Sequence, residues 1–189
     1  AGLVGNVRVY DLNGNTWELR ADPGNKLRGE QINKYAGARV SMSGSGDVLA
    51  STTLYANSDA GLSGAGEVRV FKWNGGSWDQ QTAIPYNDND IGGEAASDNS
   101  GDAIALSNDG KILAIGAPAN DGDDSTNTQR GHVRVYAYDD TDWRQRGGDI
   151  DGENAGDQFG VSVALSADGN VLAAGAQHNN GDDHPTDAS

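Results

Sequence analysis

Cysteine is absent from the 189 residues, so neither a disulfide framework nor thiol chemistry is open to this chain. Proline occurs only 4 times and aromatic residues make up 6%, while hydrophobic residues reach 35%. That composition argues against a helical bundle. No run approaches the roughly 20 apolar residues that cross a bilayer, so membrane insertion is not expected. Positive charge is scarce: 13 Lys and Arg face 28 Asp and Glu, for a formal charge of −15. Such a surface repels phosphate backbones, which excludes nucleic acid as a partner. Neither a phosphate-binding glycine loop nor a zinc signature is present, and no nucleophile, base and orienting acid stand in a recognisable set. An acidic, Lys-poor chain rich in Asn, Asp and Gly fits a secreted or cell-surface setting. The first residues, Ala1-Gly2-Leu3-Val4, have neither Met nor a basic-then-apolar leader, as in a processed or truncated chain.

What the chain has in quantity is glycine, 28 residues of it, and repetition. Gly5-Asn-Val-Arg-Val-Tyr10 leads to Trp17, Gly66-Glu-Val-Arg-Val-Phe71 to Trp78, and Gly131-His-Val-Arg-Val-Tyr136 to Trp143. The Gly-to-Trp offset is 12 residues each time. A second phrase starts at Gly37, Gly101 and Gly160 and reaches Leu49, Leu113 and Leu172, again 12 residues on, with a Glu 7 residues upstream of each Gly. Fold follows from such a repeat.

Each phrase alternates apolar and polar residues around a Gly-rich turn, which is the period of a half-buried strand. In the first copy Asn13-Gly14 is expected to form the hairpin turn. A full unit reads as four strands: the one after the leading Gly, the Leu-Ala strand, the Gly-x-Val-Arg-Val strand and the Trp strand. Four antiparallel strands per unit predict an all-β chain of β-propeller-type blades, about three blades' worth of strands, with a β-prism as the alternative fold. The chain divides into a half-blade (5–20), two blades (35–84 and 101–147), a half-blade (159–176) and a polar tail (177–189), as part of a larger propeller or assembly. The unpaired half-blades predict self-association or completion by another chain.

Phe159-Gly160-Val-Ser-Val-Ala-Leu-Ser-Ala-Asp-Gly169, together with Gly116-Ala117-Pro118, resembles the FG-GAP repeat of integrin-α-like β-propellers. That resemblance implies adhesion or ligand binding and a calcium loop between the first two strands of each blade. Here those loops are Ser43-Gly-Ser-Gly46, Ser107-Asn-Asp-Gly110 and Ser166-Ala-Asp-Gly169. They are too short in carboxylates for the 6 to 8 oxygens calcium takes.

Two other acidic clusters carry the metal expectation, with calcium as the cation. Asp121, Asp123 and Asp124 are echoed by Asn180, Asp182 and Asp183; Asp149, Asp151, Glu153 and Asp157 have alternating-ligand spacing. The recurring Glu30, Glu94 and Glu153 read as architectural, capping amides or pairing with Arg8, Arg69 or Arg134. Trp17, Trp78 and Trp143 are expected to pack between blades. His132 replaces Asn6 and Glu67 and reads as a surface residue, and His178 and His184 as part of the polar tail. The resulting expectation is a non-enzymatic extracellular binding or adhesion module whose loops engage a protein or glycan. The alternatives are a glycan-active enzyme propeller, with carboxylates drawn from different blades, and a structural subunit of a larger assembly.

Overall fold

The computed structural model describes residues 2–57, 61–83, 90–122 and 129–181, and among them every regular element is a β-strand. β1 (Tyr10–Asn13) and β2 (Thr16–Leu19) form a hairpin. β3 (Ala36–Met42), β4 (Val48–Thr53), β5 (Glu67–Trp73) and β6 (Trp78–Gln80) follow as one antiparallel sheet in chain order. After the two short strands β7 (Thr82–Ala83) and β8 (Asp90–Gly92), the pattern recurs. β9 (Ala103–Leu106), β10 (Ile112–Ala117), β11 (His132–Tyr138) and β12 (Asp142–Gln145) make the second antiparallel sheet. The short β13 (Ile150–Asp151) precedes the closing hairpin of β14 (Phe159–Leu165) and β15 (Leu172–Ala176).

The first hairpin turns one residue later than its sequence suggests. Asn13 pairs with Thr16, so Gly14 and Asn15 are the central residues, and Gly14 takes φ +60. Glycine in the first central position suits a two-residue loop that needs positive φ there.

The glycine that leads each Val-Arg-Val phrase has a concrete cause. Gly66 and Gly131 lie at φ +79 and +78, and a Cβ at either would stand 2.3 Å from the Ser100 carbonyl or 2.2 Å from that of Phe159. The backbone of the next unit passes there. The offset is therefore rigid because two units touch at that atom.

The three short strands depart from the twelve expected. β6 pairs only with the second half of β5, Phe71 to Trp73, and β8 pairs with its first half, Glu67 to Arg69. β12 and β13 divide β11 in the same way, at Tyr136 to Tyr138 and at His132 to Val133. A strand flank left bare by a short partner offers unpaired amides, and the returning chain takes them. The variable Trp-to-Glu connection thus ends in a strand that returns to the start of the Val-Arg-Val strand. β7 meanwhile crosses to pair in parallel with β12, tying the two sheets together.

Stacking between units forms the core. Val48, Ala50, Val68, Val70 and Ile91 of the first sheet pack with Leu113, Ile115, Tyr136 and Trp143 of the second. Val9 and Leu27 pack with Leu49, Phe71 and Trp78. Trp78 and Trp143 are 0% exposed, each covered by the preceding unit, but Trp17 is 66% exposed. Its expected packing between units is corrected, because among the described residues no sheet lies on that face of the first hairpin.

The Ser-x-Asp-Gly turns hold no cation ligands in reserve. Ser107 Oγ donates to Asp109 Oδ1 at 2.6 Å and accepts from the Ile112 amide at 2.9 Å. Ser166, Asp168 and Val171 repeat the arrangement. With Ser166 and Asn170 donating to it, the Asp168 carboxyl is held down to about 2. These acids are turn residues whose oxygens are spent on their own hairpins.

Candidate functional site

Strand alternation and the returning strand together build one polar corner. Along β11, His132, Arg134 and Tyr136 point to one face and Val133 and Val135 to the other. Tyr136 joins the core against the first sheet, so His132 and Arg134 face the same way, toward the unit before. Glu94 arrives from that unit, just after β8, where the Gly93 amide donates to the Gly66 carbonyl at 2.9 Å. Pairing of β13 on β11 sets Asp151 opposite His132, and the same register carries Asp149 to the position opposite Arg134.

The result is a cavity of about 340 Å³ lined by Glu94, Asn120, Gly122, His132, Asp149 and Asp151. His132 is 2% exposed, and its Nδ1 stands 3.7 Å from Asp149 Oδ2, too far for a hydrogen bond. Arg134 Nη1 pairs with Glu94 Oε1 at 3.2 Å, and Gln145 Nε2 donates to Asp149 Oδ1. Burial, then the Arg134 guanidinium, push the imidazole down to about 4 against the opposing pull of Asp149. It is therefore a neutral nitrogen base at pH 7, flanked by carboxylates.

Among the described residues, Glu94, His132 and Asp149 form the one group of possible ion ligands whose donor atoms all lie within 4.8 Å of one another. The reading of His132 as a surface residue is corrected. Sequence position alone suggested exposure, whereas the returning β13 covers one side of the ring and the Glu94 loop lies on the other. Glu94 does pair with Arg134, and Glu30 with Arg69 at 3.2 Å, as the recurring glutamates suggested.

The residues expected to bind metal are distributed differently. Asp149 and Asp151 line the cavity. Asp157 does not join them: it is buried, and its Oδ2 accepts from the Asn154 amide and from Asn179 Nδ2, both at 2.9 Å. Asp98 does the same with Ala95 and Asn120, so this acid is a loop fastener in two units. Glu153 accepts from Asn179 at 3.2 Å. Asp121 is exposed and closes its own loop by accepting from the Gln129 amide at 2.9 Å. Asp123, Asp124, Asp182, Asp183 and His184 lie outside the described residues. His178 is exposed. Sequence reasoning passed over Glu94 and His132, and the available signal was the Asp-x-Asp alternation at Asp149 and Asp151, which marks a strand that had to pair somewhere.

No known family model matches the chain, and no curated protein does. Among solved structures, the chain is similar to a candidate 6-phosphogluconolactonase of Bacteroides uniformis, with a TM-score of 0.54 and 14% identity over 89% of this chain and 40% of that one. A second candidate 6-phosphogluconolactonase, from Bacteroides fragilis, matches at a TM-score of 0.45 and 14% identity, over 92% of this chain and 36% of that one. The periplasmic gluconolactonase of Pseudomonas aeruginosa matches at 0.45 and 16%, over 91% and 46%. The chain thus spans less than half the length of the solved structures it matches.

These findings correct several expectations. The neighbours are lactonases by description, not FG-GAP or integrin-like proteins, and the Phe-Gly and Gly-Ala-Pro phrases reflect close backbone approach and turn geometry that any four-stranded repeat of this kind needs. The non-enzymatic adhesion module, with its glycan-binding role, is overturned by the same likeness to a protein described as an enzyme. No helix is long and apolar enough to cross a membrane.

Proposed function

We propose that this chain is part of a β-propeller hydrolase that opens sugar lactones, with the Glu94, His132 and Asp149 corner as its catalytic site. The observation that carries the reading is a buried imidazole, neutral at pH 7 and without a hydrogen bond to hold it, facing a polar cavity between two carboxylates. The fold likeness supports the class of enzyme. The two sheets support blades rather than a prism, since each stacks its broad face on the next around β3, β9 and β14.

Hydrolysis of a lactone adds water to the ring carbonyl carbon and breaks its bond to the ring oxygen, leaving a hydroxy acid. His132 takes the proton from the attacking water and returns it to the departing ring oxygen. Asp149 steadies the imidazolium formed in between. Glu94, held by Arg134, and Asp151 accept hydrogen bonds from sugar hydroxyls. Three carboxylates around the cavity disfavour a phosphorylated substrate, so the reading is a neutral sugar lactone.

Acid release from glucono-1,5-lactone, followed at constant pH, tests this. Wild type is expected to exceed the uncatalysed rate, and His132→Asn to lower kcat/KM by about 10² to 10³-fold. An unchanged variant, or a wild type no faster than buffer, would sink it. We further propose that the faces bearing Trp17 and Val171, both 66% exposed, are covered by further units of the same kind, in an extracellular setting that suits the acidic composition.

A further inference from the structure

We propose that Glu94, His132 and Asp149 bind a divalent transition-metal ion, of the zinc or manganese type, in preference to calcium. The inference concerns the cavity of the hydrolase reading but does not depend on turnover. Its first support is the donor set. Calcium takes 6 to 8 oxygens, whereas an imidazole nitrogen with carboxylates suits zinc and its first-row neighbours.

The second support is spacing. Such ions hold nitrogen and oxygen at about 2.0 to 2.2 Å, so ligands on opposite sides stand about 4 Å apart. The three donor atoms, all within 4.8 Å, need only a small inward rotation of the two more open carboxylates. Third is charge. Glu94, Asp149 and Asp151 against Arg134 leave an excess of two negative charges at the cavity, which a divalent ion neutralises.

His132 supplies an independent indication. It is a 2% exposed polar side chain whose one charged neighbour, Asp149, is beyond hydrogen-bond reach at 3.7 Å. Burying an imidazole without a partner is costly, and a metal would satisfy it. Being neutral, it needs to shed no proton to bind. Three protein ligands facing a cavity leave a coordination position open, as in hydrolytic zinc sites.

The equivalent corner of the preceding unit is the internal control. Glu67 stands where His132 does, at the first residue of its strand, and Asp90 opposes Arg69 as Asp149 opposes Arg134. That corner offers no nitrogen ligand.

Calorimetric titration of metal-stripped protein with Zn2+, then Mn2+, then Ca2+, tests the site. One Zn2+ per chain is expected. His132→Gln, Glu94→Gln and Asp149→Asn should each weaken it about tenfold or more, while Glu67→Gln leaves it unchanged. The two carboxylate variants alter open side chains, so they keep the test decisive if His132→Gln fails to fold. No saturable Zn2+ uptake by wild type, carboxylate variants that bind as wild type does, or calcium of equal affinity would each overturn the proposal. Metal uptake without lactone opening would remove the hydrolase reading and leave the site standing. Lactone opening without metal uptake would do the reverse.

Discussion

Two corners of this molecule share one backbone plan and differ in a single buried side chain. In the first, Glu30 pairs with Arg69, Asp90 stands opposite that arginine, and Glu67 is 6% exposed beside them. In the second, Glu94, Arg134 and Asp149 repeat those positions and His132 takes the place of Glu67. Burial disfavours the charged form of whichever side chain sits there. It raises Glu67 to about 7, with Asp90 adding to the rise and Arg69 opposing it. It lowers His132 to about 4. The same burial therefore makes a carboxyl harder to ionise and an imidazole harder to protonate, so both groups are driven toward neutrality. Only the imidazole leaves a lone pair for chemistry when neutral.

The largest expected effects come from separating these two titrations. A raised acid stabilises the fold below its unfolded value near 4.5, and that contribution is lost as pH rises through 7. A lowered base stabilises above its unfolded value near 6.5, and that contribution is lost as pH falls through 4. In wild type the two slopes oppose each other between pH 4.5 and 6.5. Glu67→Gln should expose a stability that climbs with pH over that window, and His132→Gln one that declines, each by up to about 3 kcal/mol. Urea midpoints from pH 4 to 8 read this directly. Parallel slopes in the two variants would break the comparison.

A smaller effect distinguishes the arginines. Arg69→Met removes the cation nearest a buried carboxyl, at a cost of about 3 kcal/mol at pH 8. Arg134→Met, beside a neutral imidazole, should cost about 1 kcal/mol. The difference should shrink at pH 5, where Glu67 is protonated. Equal losses at both pH values would mean that the two corners are held by packing and not by charge.

Least of all should follow from the exposed partner. Glu30 is 74% exposed in its side chain, so Glu30→Gln is expected to shift the unfolding midpoint by less than about 1 kcal/mol. A larger loss would show that this ion pair anchors the corner from outside.

The sequence made the strands legible for a physical reason. Alternating Val-Arg-Val and the Ser-x-Asp-Gly turns are local signals, acting over a few residues through side-chain alternation and turn hydrogen bonds. The recurring Glu-to-Arg pairs were legible too, since they repeat with the unit. Trp17 was misread because a repeat pattern states what a side chain can pack against, not whether a neighbour is present. His132 was misread because substitution by Asn6 and Glu67 looked like surface tolerance. The structure has Glu67 buried at 6% exposure and only Asn6 open.

By itself, then, the sequence determined the all-β character, the four-strand unit and the spacing of its turns, because these arise between residues near one another along the chain. Only the tertiary structure decided that Glu94, His132 and Asp149 share one cavity. They come from the end of one unit, the first residue of a strand in the next, and a short returning strand whose pairing depends on the flank that β12 leaves open. A site assembled across three such segments has no local period, since its distances are set by how the sheets stack.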